Sequence, residues 1–485
     1  MSVGGGISYA ASFIAEPRSG YPGGLIKGDL VDICTAMAGF TKREVQKSQP
    51  KRVFRSLKAL FRGLLGPLTG ALWGGRFATF GLSLKRRRIA MVNVRRWQIV
   101  FVLTGMLFLG FAQTSWAASA QPFVFGVILV GPYNDHGWSE AHYVAGKYVE
   151  KNLAGAKMIW LDKLNPADRK GTTLDQVVSD MVSKGAKVIF TTSDDFKDET
   201  RLAAQKYKDV IFIHISGDDV WTGKAPKNLG NYMGRMEYAK AIAGCAAALS
   251  TQTGKIGYLG PLINDETRRL AASAYLGARY AWTNYRGKKA NELKFDVKWI
   301  GFWFNIPGVT LDPTKVSNDF FAAGTDVLMS GIDTNEALVQ AGQKAKTGMK
   351  VSAVPYDFRD ACREAPTVCL GVPYFNWGPG YLKLVKAVQA GTWKQSFEWA
   401  APDWKDINNL DASAVGFLPG PGLSAEAKKK VDEFTQGLAS GKIVLFQGPL
   451  KFQDGSVFLK EGEKATDKQI WYLPQLLEGM SGASK

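Results

Sequence analysis

The chain has 485 residues, 46% of them apolar, and a formal charge of +18, a composition that excludes a disordered polymer and leaves room for two or three domains. The charge is concentrated at one end. Residues 1–90 hold 15 Lys and Arg against 4 Asp and Glu, Arg95 and Arg96 raise the excess to +13, and only +5 remains for residues 121–485, so the folded body lacks the basic surplus of a nucleic-acid binder.

In chain order, residues 1–90 are Gly-rich and basic, with runs at 42–62 and 85–88. They read as a disordered segment or one that is not translated, with Met91 as the start; a basic nucleic-acid arm is the rival reading. From Met91 come Arg95-Arg96, an apolar run over 97–112 and small residues up to Ala120. That is the pattern of a secretory signal at 91–120, cleaved near Ala120. The run is shorter than the roughly 20 residues a membrane-spanning helix needs, although a retained anchor is the alternative. Export to an oxidising compartment would let Cys362 and Cys369, seven positions apart, form a local disulfide. Cys245 lies in an Ala-rich helical stretch and reads as a buried apolar residue.

From Gln121 onward, short apolar runs at 123–130, 157–161, 187–192 and 210–215 alternate with amphipathic stretches at 139–152 and 172–183. This is the pattern of a parallel sheet covered on both faces. A second set follows, with strands at 255–259, 297–302, 326–329 and 350–354 and helices at 265–284, 313–323 and 335–346. The predicted fold is therefore α/β, with two Rossmann-like lobes, a hinge and a cleft. Lobe one spans 121–236 and lobe two 237–372. Residues 373–485 cross back to lobe one and then pack across both.

Polar and aromatic clusters fall at the ends of these strands. The first is Asn134-Asp135-His-Gly-Trp138, and the third strand ends in Ser193-Asp194. In the second set Trp303-Phe-Asn305, Asp333 and Asp357 follow strands, and Asn376-Trp377 follows the returning one. A planar heteroaromatic ligand needs stacking faces with donors and acceptors in its plane, which Trp with Asp or Asn supplies. Each residue also has a structural reading: Asp135 as a helix cap, and Trp138, Trp303 and Trp377 as packing. No phosphate loop, nucleophile elbow or metal-spaced His/Cys set is present in the sequence, so neither an enzyme nor a cofactor or metal is expected.

These motifs in this order, joined by Gly-Lys-Ile-Gly-Tyr at 254–258 and Gly-Thr-Trp at 391–393, resemble a Trp-rich subgroup of the basic-membrane-protein (BMP), purine-nucleoside-receptor-like family of ABC transporter substrate-binding proteins. The resemblance implies a type I periplasmic-binding fold and a periplasmic, monomeric protein. Its partners would be a purine-like small molecule and the permease and ATPase subunits of an importer, with no nucleic acid. It also implies that Asp135 and Trp138 face the ligand from lobe one, that Trp303 stacks from lobe two and that Asp357 is a cleft carboxylate. Nucleoside-binding members carry a Lys after the returning strand, where this chain reads Tyr374-Phe-Asn376-Trp377; a free base is therefore expected over a nucleoside. A membrane-tethered sensor built on the same lobes is the alternative function.

Overall fold

The computed structural model describes residues 121–485. The basic N-terminal stretch and the expected export signal lie outside the described residues. Among those described, no helix is long and apolar enough to cross a membrane.

The first half is a βα alternation: β1 (Phe123–Ile128), α1 (Trp138–Asn152), β2 (Ala156–Leu161), α2 (Leu174–Ser183), β3 (Val188–Thr191), α3 (Lys197–Lys206), β4 (Ile211–Ile215) and β5 (Leu229–Gly234). The apolar runs become central strands, with Phe125, Val127, Ile128 and Phe190 fully covered. Local signals set the helix starts; Thr173 and Gln176 form a reciprocal capping box before α2. The second half is α4 (Met236–Ser250), β6 (Lys255–Gly260), α5 (Asp265–Tyr280), β7 (Lys294–Trp299), α6 (Pro313–Ala322), β8 (Val327–Ser330), α7 (Glu336–Lys346) and β9 (Ser352–Val354). The helix expected over 265–284 ends as α at Tyr280 and continues as a wider π turn to Tyr285. The remainder supplies β10 (Gly371–Phe375), α8 (Trp377–Gln389), β11 (Phe397–Ala400), β12 (Val415–Pro419), α9 (Ala425–Ala439), β13 (Leu450–Lys451), β14 (Val457–Leu459), α10 (Asp467–Trp471) and β15 (Met480–Ser481).

Two parallel sheets result, in the orders β11-β5-β4-β3-β1-β2 and β15-β7-β6-β8-β9. Both edge additions, β11 beside β5 and β15 beside β7, come from the last part of the chain. In each sheet the strand order reverses beside the first strand of its set, between β1 and β3 in one and between β6 and β8 in the other. Ligands of open α/β sheets bind at such reversal points, beyond the carboxyl ends of the strands. The chain passes between the lobes at the β5–α4 junction and through the antiparallel pair β10–β12. Behind the second sheet, α4 and α5 approach very closely: a Cβ on Gly244 would lie 1.9 Å from the Ala274 carbonyl oxygen, and one on Gly277 1.9 Å from that of Ala241. Cys362 and Cys369 are joined, closing the loop that leads into β10.

Candidate functional site

Both reversal points open onto one cleft, whose non-atom space, counted together with the solvent at its mouth, is about 400 Å³. From the first lobe it is lined by Trp138, Ser193, Asp194 and Ser216. Trp138 opens α1, and its indole Nε1 donates to the Thr192 carbonyl at 2.6 Å. Its ring is met edge-on by His142, Phe375 and Trp377, so the side chain is fixed before any ligand arrives. Asp135, just upstream, accepts from the backbone N–H groups of Gly137, Ser139 and Glu140, each at 2.9 Å. It thus satisfies the first turn of α1 from two residues ahead of the N-cap, Gly137; burial pushes its carboxyl up to about 6 against those bonds.

The second lobe contributes Tyr258 from β6, Glu266, Thr267 and Leu270 from α5, Trp303 beyond β7, Gly331 and Asp333 beyond β8, and Tyr356 beyond β9. The Asp333 N–H donates to the Trp303 carbonyl at 2.9 Å, holding the two loops together. The lobes touch at the cleft mouth. The Trp138 N–H donates to the Asp333 carbonyl at 3.3 Å, and the Asn264 side-chain amide donates to Asp194 at 3.3 Å.

The electrostatics are dominated by carboxyls. Asp357 is fully buried with both carboxyl oxygens unpartnered. Burial holds it well above the usual carboxylate range, with Lys240 opposing and Asp135 and Glu266 adding to the rise. Asp333 is raised in the same direction, by burial and then by Asp357 and Asp135. Lys240, on α4, is buried with its Nζ donating to the Ser330 carbonyl at 2.6 Å and lying 3.2 Å from the Tyr356 ring centroid. Burial pulls this ammonium down to about 7 despite Asp357. Carboxyls held protonated by burial in this way keep an O–H to donate and suit an uncharged ring with acceptors on its edge. Among the described residues, no group of three or more His, Cys, Asp and Glu is arranged to hold a metal.

Of the residues expected from sequence, Trp138, Ser193, Asp194, Trp303 and Asp333 come together on the cleft wall, while Asp357 is buried among the same charges. Five others are placed elsewhere, the first being Asp135, whose carboxyl is spent on the start of α1. Asn134 is exposed to solvent. Asn305 is also exposed, and its side chain accepts from the Thr310 hydroxyl at 3.1 Å. Asn376 donates to the carbonyls of Leu410 and Ser413 at 3.0 and 2.7 Å, pinning a loop. Trp377 is 1% exposed and stacks between Phe375 and His142 at 4.4 and 4.5 Å, so it supports Trp138 from behind and does not form a wall. Sequence reading missed Ser216, Tyr258, Glu266, Tyr356 and Lys240. Applying the strand-end rule to β6 would have found Glu266, which lies in the first turn of the helix that follows it.

The family model described as ABC transporter substrate-binding protein PnrA-like matches residues 123–298. A purine-binding protein of Brucella abortus is 30% identical over 361 residues, covering 74% of this chain and 93% of that protein. A putative ABC transporter glucose-binding protein of Haloferax volcanii is 24% identical over 346 residues, covering 69% of this chain and 80% of that one. In fold, the chain is similar to an ABC transporter solute-binding protein of Aeropyrum pernix, with a TM-score of 0.53 at 14% identity, over 74% of this chain and 100% of that one. With two parallel-sheet lobes around a shared cleft, the chain has the type I periplasmic-binding fold and belongs to the BMP family of PnrA-like ABC transporter substrate-binding proteins.

Proposed function

We propose that this protein captures a purine base outside the cytoplasm, acts as a monomer and delivers the base to the permease and ATPase of an importer. Lobe one (121–236) and lobe two (237–372) would close on the base about the crossings, with 373–485 completing both. The observation that carries this reading is the pair Trp138 and Trp303, one from each lobe on the walls of a single cleft. They offer two π faces to a flat ring, with Ser193, Asp194 and Asp333 beside them for its edge. The similarity to a purine-binding protein supports the ring class. No Lys or Arg among the described residues lines the cleft, which argues against nucleotides, because a phosphate would be buried there without a cation to pair with. The returning strand argues for a base over a nucleoside: Asn376 and Trp377 are committed to the loop and the core, leaving no cation there for a ribose.

Titration calorimetry with adenine, hypoxanthine, adenosine, guanosine and glucose tests the proposal. Adenine or hypoxanthine is expected to bind tightest, and Trp303→Ala to weaken that binding by about 5- to 150-fold, the worth of one ring-on-ring contact of about 1–3 kcal/mol. Heat with glucose alone, or with no purine, would overturn the assignment. A nucleoside binding more tightly than its base would overturn the preference for a base.

A further inference from the structure

Glu266 sits in the first turn of α5 and lines the cleft. It is 6% exposed, and its Oε2 has no hydrogen-bond partner. The nearest cation does not satisfy it: Arg269 Nη2 stands 3.7 Å from that oxygen, beyond hydrogen-bonding reach. Arg269 is already engaged, with its Nε donating to Glu237 at 2.7 Å and its guanidinium lying 4.0 Å from the Trp471 ring centroid. Its Nη2, which faces Glu266, also lacks a hydrogen bond, and Ser216 bears on the carboxyl from the first lobe, so Oε2 has an ionic neighbour but no donor of its own. Buried polar atoms in native structures have partners as a rule, and the exceptions call for an occupant.

We propose that Glu266 is a specificity-determining residue whose carboxyl hydrogen-bonds the polar edge of the ring held by Trp138 and Trp303, an inference that rests on the purine reading above. The groups around it decide how it bonds. Asp194 faces it from the first lobe; Asp333, Asp357, Tyr258 and Tyr356 surround it in the second; Glu237 and Lys240 lie on α4, and Arg269 one turn along α5. Burial, opposed by Arg269 and reinforced by Asp194, pushes its carboxyl up to about 7. Below that pH it offers an O–H to an acceptor on the ring, such as an unprotonated ring nitrogen. Above it, the group is a buried carboxylate that has lost its donor, and it repels the same edge. The pairing selects a ring that presents an acceptor, and binding should weaken as the pH rises.

The test is calorimetric titration of adenine into the purified protein, Glu266→Leu and Glu266→Gln, with thermal melting of each. Glu266→Leu is expected to bind at least about tenfold more weakly near pH 6, the loss of a hydrogen bond to a buried ligand. Glu266→Gln keeps an N–H donor and should stay within about threefold of the wild type there. Between about pH 6 and 8.5 the wild-type affinity should fall more steeply than that of Glu266→Gln, because only the former loses its donor. Wild-type affinity in Glu266→Leu, or a Gln variant with the wild-type pH profile, overturns the role of Glu266 while leaving the purine reading intact. Absence of adenine heat in the wild type overturns both. Should Glu266→Leu melt early, the pH profile of the Gln variant decides.

Discussion

Gly137 lies so near Asp333, across the mouth of the cleft, that a methyl group there would have no room. A Cβ on Gly137 would lie 1.6 Å from the Asp333 carbonyl oxygen and 2.7 Å from its carbon. Both parties are backbone, so neither can rotate away. Restoring an ordinary contact of about 3.4 Å requires the lobes to part by roughly 1.8 Å at this point, since close-packed interiors do not absorb such overlaps. That separation takes the Trp138 N–H, now 3.3 Å from the same carbonyl, out of bonding range, at about 1 kcal/mol. It also pulls the Trp138 and Trp303 walls apart, and a gap of even about 1 Å forfeits up to half of each dispersion contact. Together these losses come to about 2–3 kcal/mol, or roughly 30- to 150-fold in affinity. Gly137→Ala should therefore bind adenine that much more weakly, while the ligand-free protein, free to rest open, melts as the wild type does. Calorimetry gives the affinity, and small-angle X-ray scattering gives the contraction on binding, which the variant should lack. Full affinity together with a normal contraction in Gly137→Ala would refute the idea that this contact limits closure.

Two further outcomes concern the scaffold. Arg269→Met removes the partner of the buried Glu237 and the cation over Trp471, and should cost about 3–5 kcal/mol by urea unfolding. Burial already raises the Glu237 carboxyl, and without Arg269 it rises further; such a group loses stability as the pH climbs through its folded-state value, so the deficit should grow from about pH 5 to pH 8. Adding Glu237→Gln should recover much of the loss at the higher pH, and failure of the double variant to recover would show that the pair is not the cause. Opening the Cys362–Cys369 link by the double Ser substitution releases a loop with a separation of seven residues, for a loss of about 2 kcal/mol in the chain-entropy picture. Urea curves with and without reductant check this, and a wild-type protein indifferent to reductant would contradict it.

β1, β3 and β4 were plain in the sequence because each is a largely apolar run buried on both faces. β7 was not: its residues alternate, with Phe295 and Val297 buried while Lys294 and Lys298 face solvent, and reading for apolar runs moved the strand to 297–302. α3 was unnamed because it buries only Thr200, Ala203 and Ala204, too little apolar surface to give a period. In the site, residues directly after strand ends were legible, since topology alone carries them to the cleft. Lys240 stands behind Tyr356 because α4 packs on the second sheet, which no local pattern encodes. Asn376-Trp377 carries the same amide-plus-indole signature as Trp303-Phe-Asn305, yet α8 begins at Trp377 and turns the ring inward onto His142. Composition at a strand end records what a side chain can do, without its direction.

The outermost strands of the two sheets have a consequence for how the protein is made. β11 and β15 complete the first and second sheets from residues 397–400 and 480–481, long after the strands they join have been synthesised. Each lobe must wait for a distant stretch of chain before its edge is sealed, and such non-local pairings form slowly. Dividing the gene between residues 236 and 237 would therefore leave the first sheet without its edge strand, because β11 goes with the second fragment. A purification tag joined closely behind β15 would fall on the seam of the second sheet.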